Sequence, residues 1–327
     1  MMAGPAPDGP ASRIRDMMIR FGFLIVFAGF AVFFTAWNPV FAQGQNLMNI
    51  VEGSAILMVV VLGMTLIVAT GGIDLSVGIA LDFGAAFAIV AMKEYDADWL
   101  LAACIGLGGG SLVGILNAAL VVGLRISPFM ATLGTFFIGS SVQRIFTNGG
   151  GPISHRSMPD AFRDIAMGEV GGVPVEVIIA TVLCVIYFIV LERSVWGRQI
   201  HAMGMQRSAS VLAGIRVNRV LVASYIAAAV TCAVGGLIAA ASIRMFTPLS
   251  GFSYLLDAIA AVFIGAALHP RGRPNVPGTI VGVLFLGMVT NGLNLMGLNF
   301  NTKDALSGII LVSALALAVA QRKMHSR

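Results

Sequence analysis

The chain has 327 residues, 58% of them hydrophobic and only 11% charged, with 39 glycines, a balance that excludes an ordinary soluble globular domain. Its formal net charge of +5 and pI near 9.5 do not point to nucleic acid, because the basic residues scatter through short loops instead of forming a block. The class left is an all-α polytopic membrane protein in contact with lipid, in which each span takes roughly 20 apolar residues and about ten spans fit.

Residues 1–17 form an N-terminal tail. Arg13, Arg15 and Arg20, followed by FGFLIVFAGFAVFF and VFAQ, have the outline of a signal peptide, but the apolar run slightly exceeds a usual h-region and an uncleaved first helix is expected. Apolar runs bounded by charged or Gly/Pro-rich breaks predict spans near 18–37, 48–70, 73–92, 99–123, 128–146, 174–191, 219–242, 253–268, 277–297 and 304–321, one transmembrane domain over 18–321 with a short tail at 322–327. Two longer polar segments interrupt it: a loop over 147–173 with a short amphipathic candidate, MPDAFRDIAM, and an arginine-rich loop over 192–218. Of the 20 Lys and Arg, only Lys93, Arg144, Arg156, Arg163, Arg244 and Lys303 fall on the side of the 147–173 loop. The positive-inside rule therefore makes both termini and the 192–218 loop cytoplasmic.

GSLVGIL (Gly110–Leu116) in the fourth span matches GTIVGVL (Gly278–Leu284) in the ninth. An offset of five spans reverses direction, so this is either an inverted repeat of the kind that builds transport paths or a chance likeness of small and aliphatic residues. Gly106, Gly110 and Gly114 mark a close helix contact. Cys104, Cys184 and Cys232 lie within expected spans without a CxxC, as small apolar packers.

Enzyme chemistry is missing from the pattern. Lys93, Lys303 and Lys323 all lack the preceding glycine of a phosphate-binding loop, His155, His201, His269 and His325 sit in separate loops without metal-ligand spacing, and no GxSxG occurs. No catalytic residue, metal or cofactor is expected on this chain. The informative groups are polar ones at membrane depth, where a carboxylate costs at least about 2.5 kcal/mol. Asp74, Asp82 and Asp257 qualify, with Glu52 nearer an interface. In GGIDLS, Gly71 and Gly72 permit a turn and Asp74 caps the helix that follows, which leaves open whether the turn lies at the cytoplasmic surface or deeper, bordering a path. Asn117, Asn291, Asn294 and Thr132 either join helices or together offer the neutral donors and acceptors a hydroxylated solute needs. The 192–218 loop either enforces topology or, through Gly204 and the small residues Ala202, Ser208, Ala209, Ser210 and Ala213, forms a short helix with a close-packing face for a groove on another protein.

GGIDLSVG (Gly71–Gly78), SPFMATLG (Ser127–Gly134), GRQIHAMGMQRSASVLAGI (Gly197–Ile215), LDAIAAVFIGA (Leu256–Ala266) and NGLNLMG (Asn291–Gly297), in this order between about residues 45 and 320, resemble bacterial ABC-importer permeases for ribose and related monosaccharides. The resemblance implies a type II importer-like permease of the bacterial inner membrane, paired with an identical or second permease subunit. It also implies a periplasmic solute-binding protein and a cytoplasmic ABC ATPase that holds ATP and Mg. Gly197, Arg198, Ala202, Gly204, Gln206, Ala209, Gly214 and Ile215 correspond to the segment that couples to the ATPase. Gly72, Asp74, Ser76, Asn117, Phe129, Thr132, Asn291 and Asn294 are its candidates for path or gate. Gln206, Ala118, Gly139–Ser141 and above all ALHPRGRPNVPGT (Ala267–Thr279) depart from the family's pattern, and the solute stays open among ribose, other pentoses, hexoses, polyols and autoinducer-2. The competing readings are a self-sufficient ion-coupled transporter using Asp74, Asp82 or Asp257, against which the absence of Lys and His from all but the ends of spans argues, and a membrane scaffold without transport.

Overall fold

The computed structural model describes residues 10–269 and 271–299, with scattered helical positions between 302 and 313, and describes side chains from residue 22 onward. The tail at 322–327 and most of the expected tenth span lie outside the described residues. The helices are α1 (Pro10–Trp37), α2 (Gly44–Gly53), α3 (Ala55–Ala69), α4 (Val77–Tyr95), α5 (Trp99–Ala118), α6 (Pro128–Phe146), α7 (Asp160–Met167), α8 (Val175–Phe188), α9 (Val195–Met205), α10 (Arg207–Leu212), α11 (Val217–Ile243), α12 (Phe252–Leu268) and α13 (Val276–Leu295). A helix stands at every expected span up to 277–297. By length and composition four of them, Trp99–Gly123, Val175–Arg193, Val217–Ile243 and Val276–Leu295, can cross a bilayer, and the bent pair α2–α3 makes a fifth. Others fall short for identifiable reasons: α4 carries three charges, Asp82, Lys93 and Glu94, α6 carries Gln143 and Arg144, and α12 has 17 residues.

The expected span 48–70 is broken at Ser54, with a 45° bend between α2 and α3. Ser54 Oγ donates back to the Ile50 carbonyl at 2.6 Å, a bond that bends helices, and α13 approaches so closely there that a Cβ on Gly287 would strike Ser54 Oγ. Beyond the bend, α3 is apolar all round and buried from Leu57 to Ile67, packed against α8, α11, α12 and α13. It is the central post of the bundle.

Small residues bring α4, α5 and α11 together around it. A Cβ on Gly106 would lie 2.6 Å from the Gly84 carbonyl, and one on Gly114 2.5 Å from that of Tyr225. In lipid, where hydrophobic burial does not favour helix association, such backbone approach supplies the contact. Gly110 likewise faces the Ala80 carbonyl of the preceding helix at 3.0 Å, as Gly282 in α13 faces the Ala261 carbonyl of α12. Of the matched positions, Gly278 and Gly282 both face α12, whereas Gly114 faces α11 and Gly110 faces both α4 and α11, so the two segments do not pack alike.

Short strands trim one end. β1 (Ile153–Ser154) pairs antiparallel with β4 (Met245–Phe246), and β2 (Glu169–Val170) with β3 (Val173–Pro174). Between these pairs, the amphipathic candidate forms α7, with Phe162 and Ala166 buried against α8 and α11.

Candidate functional site

The turn between α3 and α4 is built from glycines and one carboxylate. Gly71 has φ +88, a left-handed conformation that a side chain would strain. Asp74 Oδ1 accepts both the Ser76 N–H at 2.8 Å and the Ser76 hydroxyl at 2.6 Å, closing an Asx turn two residues before the helix begins. Ser76, not Asp74, is therefore the N-cap residue, and the carboxylate braces it from behind.

Neighbouring helices continue the network. Asn117 Nδ2 of α5 donates to Ser76 Oγ at 2.7 Å. The Leu75 N–H donates at 3.1 Å to Thr132 Oγ1 of α6, whose hydroxyl faces the Pro128 and Ile73 carbonyls. A Cβ on Gly72 would lie 3.2 Å from Pro128, so the glycine lets α6 start directly against the turn. Asp74, Ser76, Asn117 and Thr132 are all buried, and Asn117 Oδ1 has no hydrogen-bond partner among the described residues. The sequence-selected residues Gly72, Asp74, Ser76, Asn117 and Thr132 thus form one site, with Phe129 at its edge and 46% exposed.

The 192–218 loop folds onto that turn. Ser194 caps α9 by accepting the Gly197 N–H at 3.0 Å. Gly197, Ile200, His201 and Met203 are buried, and at Gly204 a Cβ would strike the Ala69 carbonyl at the end of α3, while its own Cα lies 3.3 Å from where a Cβ of Gly71 would be. Spacing by three and four residues puts Gly197, His201 and Gly204 on one inward stripe. Arg198, Ala202, Met205, Gln206 and Ala209 are exposed. Gly204 is itself exposed, and its missing side chain also admits the chain's own backbone at Ala69. Gly214, at φ +79, and Ile215 end α10 by donating to the Val211 and Ser210 carbonyls at 3.0 Å, a Schellman closure.

The remaining selected polar residues lie apart. Asn291 and Asn46 exchange amide hydrogen bonds of 3.0 and 3.1 Å between α13 and α2, the helix-joining arrangement. Asn294 and Asp257 are on exposed positions of α13 and α12, so Asp257 is not a buried carboxylate. Asp82 Oδ1 accepts from the Gly251 N–H at 2.8 Å and from Ser250 Oγ at 2.9 Å, and Gln143 Oε1 of α6 accepts the Leu249 N–H at 2.7 Å. Asp82 therefore anchors the start of α12, whose Gly251 packs backbone to backbone on Gly78, two residues beyond Ser76. Gln143, Ser250 and Asn46 were not singled out from the sequence, although Gln143, an uncharged polar residue inside an expected span, carries the same signal as Asn117. Among the described residues no group of His, Cys, Asp and Glu is arranged to hold a metal ion.

Residues 46–315 match the family model described as branched-chain amino acid transport system / permease component. The chain is 34% identical over 280 residues to the ribose import permease protein RbsC of Bacillus subtilis, covering 86% of each chain. It is 32% identical over 289 residues to the ribose import permease protein RbsC of Escherichia coli K12, covering 88% of each. It is also 28% identical over 303 residues to an autoinducer 2 import system permease protein LsrD of Escherichia coli, covering 90% of this chain and 92% of that one. No solved structure matches.

Proposed function

The chain belongs to the family of branched-chain amino acid transport system permease components, and on that premise we propose that it is the membrane subunit of an ATP-driven importer for a monosaccharide or a related polyhydroxylated solute. The names of its relatives support the solute class: ribose import at 34% and 32% identity and autoinducer 2 import at 28%. A partner ABC ATPase hydrolyses ATP, a periplasmic protein delivers the solute, and a second permease subunit, identical or not, completes the path across the inner membrane. Both termini face the cytoplasm.

The observation that carries the mechanism is the two-sided coupling segment. Its exposed face, with Arg198, Ala202, Met205, Gln206 and Ala209, is open to a partner, while its inner face rests on the turn that holds Asp74 and Ser76. Movement of the ATPase would press α9 against the end of α3 and reset the contacts of that turn with α5 and α6, so that each gate excludes the other. Asp74 serves this as a rigid brace for the turn. An ion-coupled transporter would need no such outward face.

The test is solute uptake by proteoliposomes. Uptake that needs ATP, the ATPase and the binding protein supports the proposal; uptake by this chain alone under an ion gradient refutes it.

A further inference from the structure

A second polar cluster lies behind the inner face of α9. Arg273, in the loop between α12 and α13, donates from Nη2 to Glu192 Oε2 at 3.0 Å and from Nε to His269 Nε2 at 3.1 Å. Glu192 stands in the π-helical turn Ile189–Arg193 that leads directly into α9, and His269 follows the last residue of α12. His201, one turn before Gly204 on the inner stripe, is buried beside Arg273 and His269. Two residues after Arg273, Asn275 caps α13 by accepting the Gly278 N–H at 2.8 Å, and its amide donates to the Arg273 carbonyl at 3.0 Å and the Gly265 carbonyl at 3.1 Å. The Arg273 guanidinium therefore links the root of the coupling segment to the end of α12, while its backbone carbonyl is held by Asn275 at the start of α13.

We propose that Arg273 is a positioning residue for transport, tying the root of α9 at Glu192 to α12 and α13 so that these helices follow the coupling segment; the inference rests on the importer reading above. The contact of Gly204 with the Ala69 carbonyl is steric, so it transmits a push but little pull. A charge-assisted hydrogen bond transmits both. The Glu192 side chain is only 12% exposed and that of Arg273 32%, which lifts the pair above the weak surface class. Lysine cannot replace the arginine, because two bonds diverging to Glu192 and His269 need the planar guanidinium fork. The two routes together allow α9 to drive the bundle in both halves of a cycle.

The test uses the complete transporter, reconstituted with its ATPase and binding protein, with solute uptake and ATP hydrolysis measured together. Arg273→Gln and Arg273→Lys should each lower the solute imported per ATP by at least about fivefold, the lower edge of ordinary site-to-site coupling, with hydrolysis changed by less than about twofold. Glu192→Gln should lower the ratio to a similar extent, and Glu192→Gln combined with Arg273→Gln should lower it little further. An unchanged ratio in both Arg273 variants overturns the inference and leaves the importer reading intact. Joint loss of uptake and hydrolysis makes the pair an assembly contact and also overturns it, and losses that add in the double variant, or a Glu192→Gln ratio equal to the wild type, overturn the link to Glu192. A wild-type complex that imports nothing with ATP overturns the importer reading and this inference with it.

Discussion

Gly204 of α9 and Ala69 of α3 meet backbone to backbone, with the Ala69 carbonyl occupying the place where any side chain at 204 would begin. A single methyl group at this position is enough to disturb the contact. The contact joins the exposed coupling segment to the turn in which Asp74 holds Ser76 and Ser76 meets Asn117, and the predictions below separate the two sides of that junction.

Residues on the outer face of the segment should act on the partner alone. Ala202 is exposed and lies about 100° around the helix from His201 of the inner stripe. Ala202→Trp should weaken association with the ATPase, measured by co-purification, and leave the thermal unfolding of the isolated chain in detergent unchanged. A lowered unfolding temperature would place Ala202 in a packed interface of its own chain.

The brace at the turn should be a matter of stability. Ser76→Ala removes the group on which Asp74 and Asn117 converge, leaving buried polar atoms unbonded at about 1–3 kcal/mol. Asp74→Asn keeps an acceptor oxygen for Ser76 and should be milder than Asp74→Ala. Denaturation in mixed micelles checks the order, and an asparagine variant as unstable as the alanine variant would show that the charge itself matters.

Asn46 and Asn291 should behave as a pair. Their reciprocal amide bonds predict that the alanine substitutions are non-additive, with an interaction energy of about 0.5–3 kcal/mol in a double-mutant cycle. Solute preference should not change. An altered preference with additive stability effects would assign Asn291 to the solute path.

His201 is held neutral. Burial, and then Arg273 and His269 beside it, push its pKa from 6.5 down to about 4. Between those values the unfolded chain binds more protons than the folded one, so this contribution to stability is complete above about pH 6.5 and is lost as pH falls toward 4. The thermal unfolding temperature should therefore fall over that interval, and His201→Gln should flatten the decline. Parallel pH curves for the two proteins would contradict the assignment.

The helical architecture and the turn at Gly71–Ser76 were legible in the sequence because both are local: apolar runs of span length, and a Gly-Gly-x-Asp cluster whose turn chemistry depends on near neighbours. The small residues of the 192–218 loop were legible as a close-packing helix, but composition does not say which surface such a helix packs on, and Gly204 proved to face Ala69. The pairs Asn46 with Asn291 and Glu192 with Arg273 are 245 and 81 residues apart, and no periodicity connects them. Asp82 and Asp257 both read as acids at membrane depth, yet only Asp82 is buried, because which face of its helix an acid occupies depends on neighbours that the sequence does not order.

The most direct measurement is the solute imported per ATP by the reconstituted transporter carrying Gly204→Ala. One added methyl must move α9 off the Ala69 carbonyl, so the ratio should fall by at least about fivefold. A ratio equal to that of the wild type would contradict the claim that motion enters the bundle through this contact.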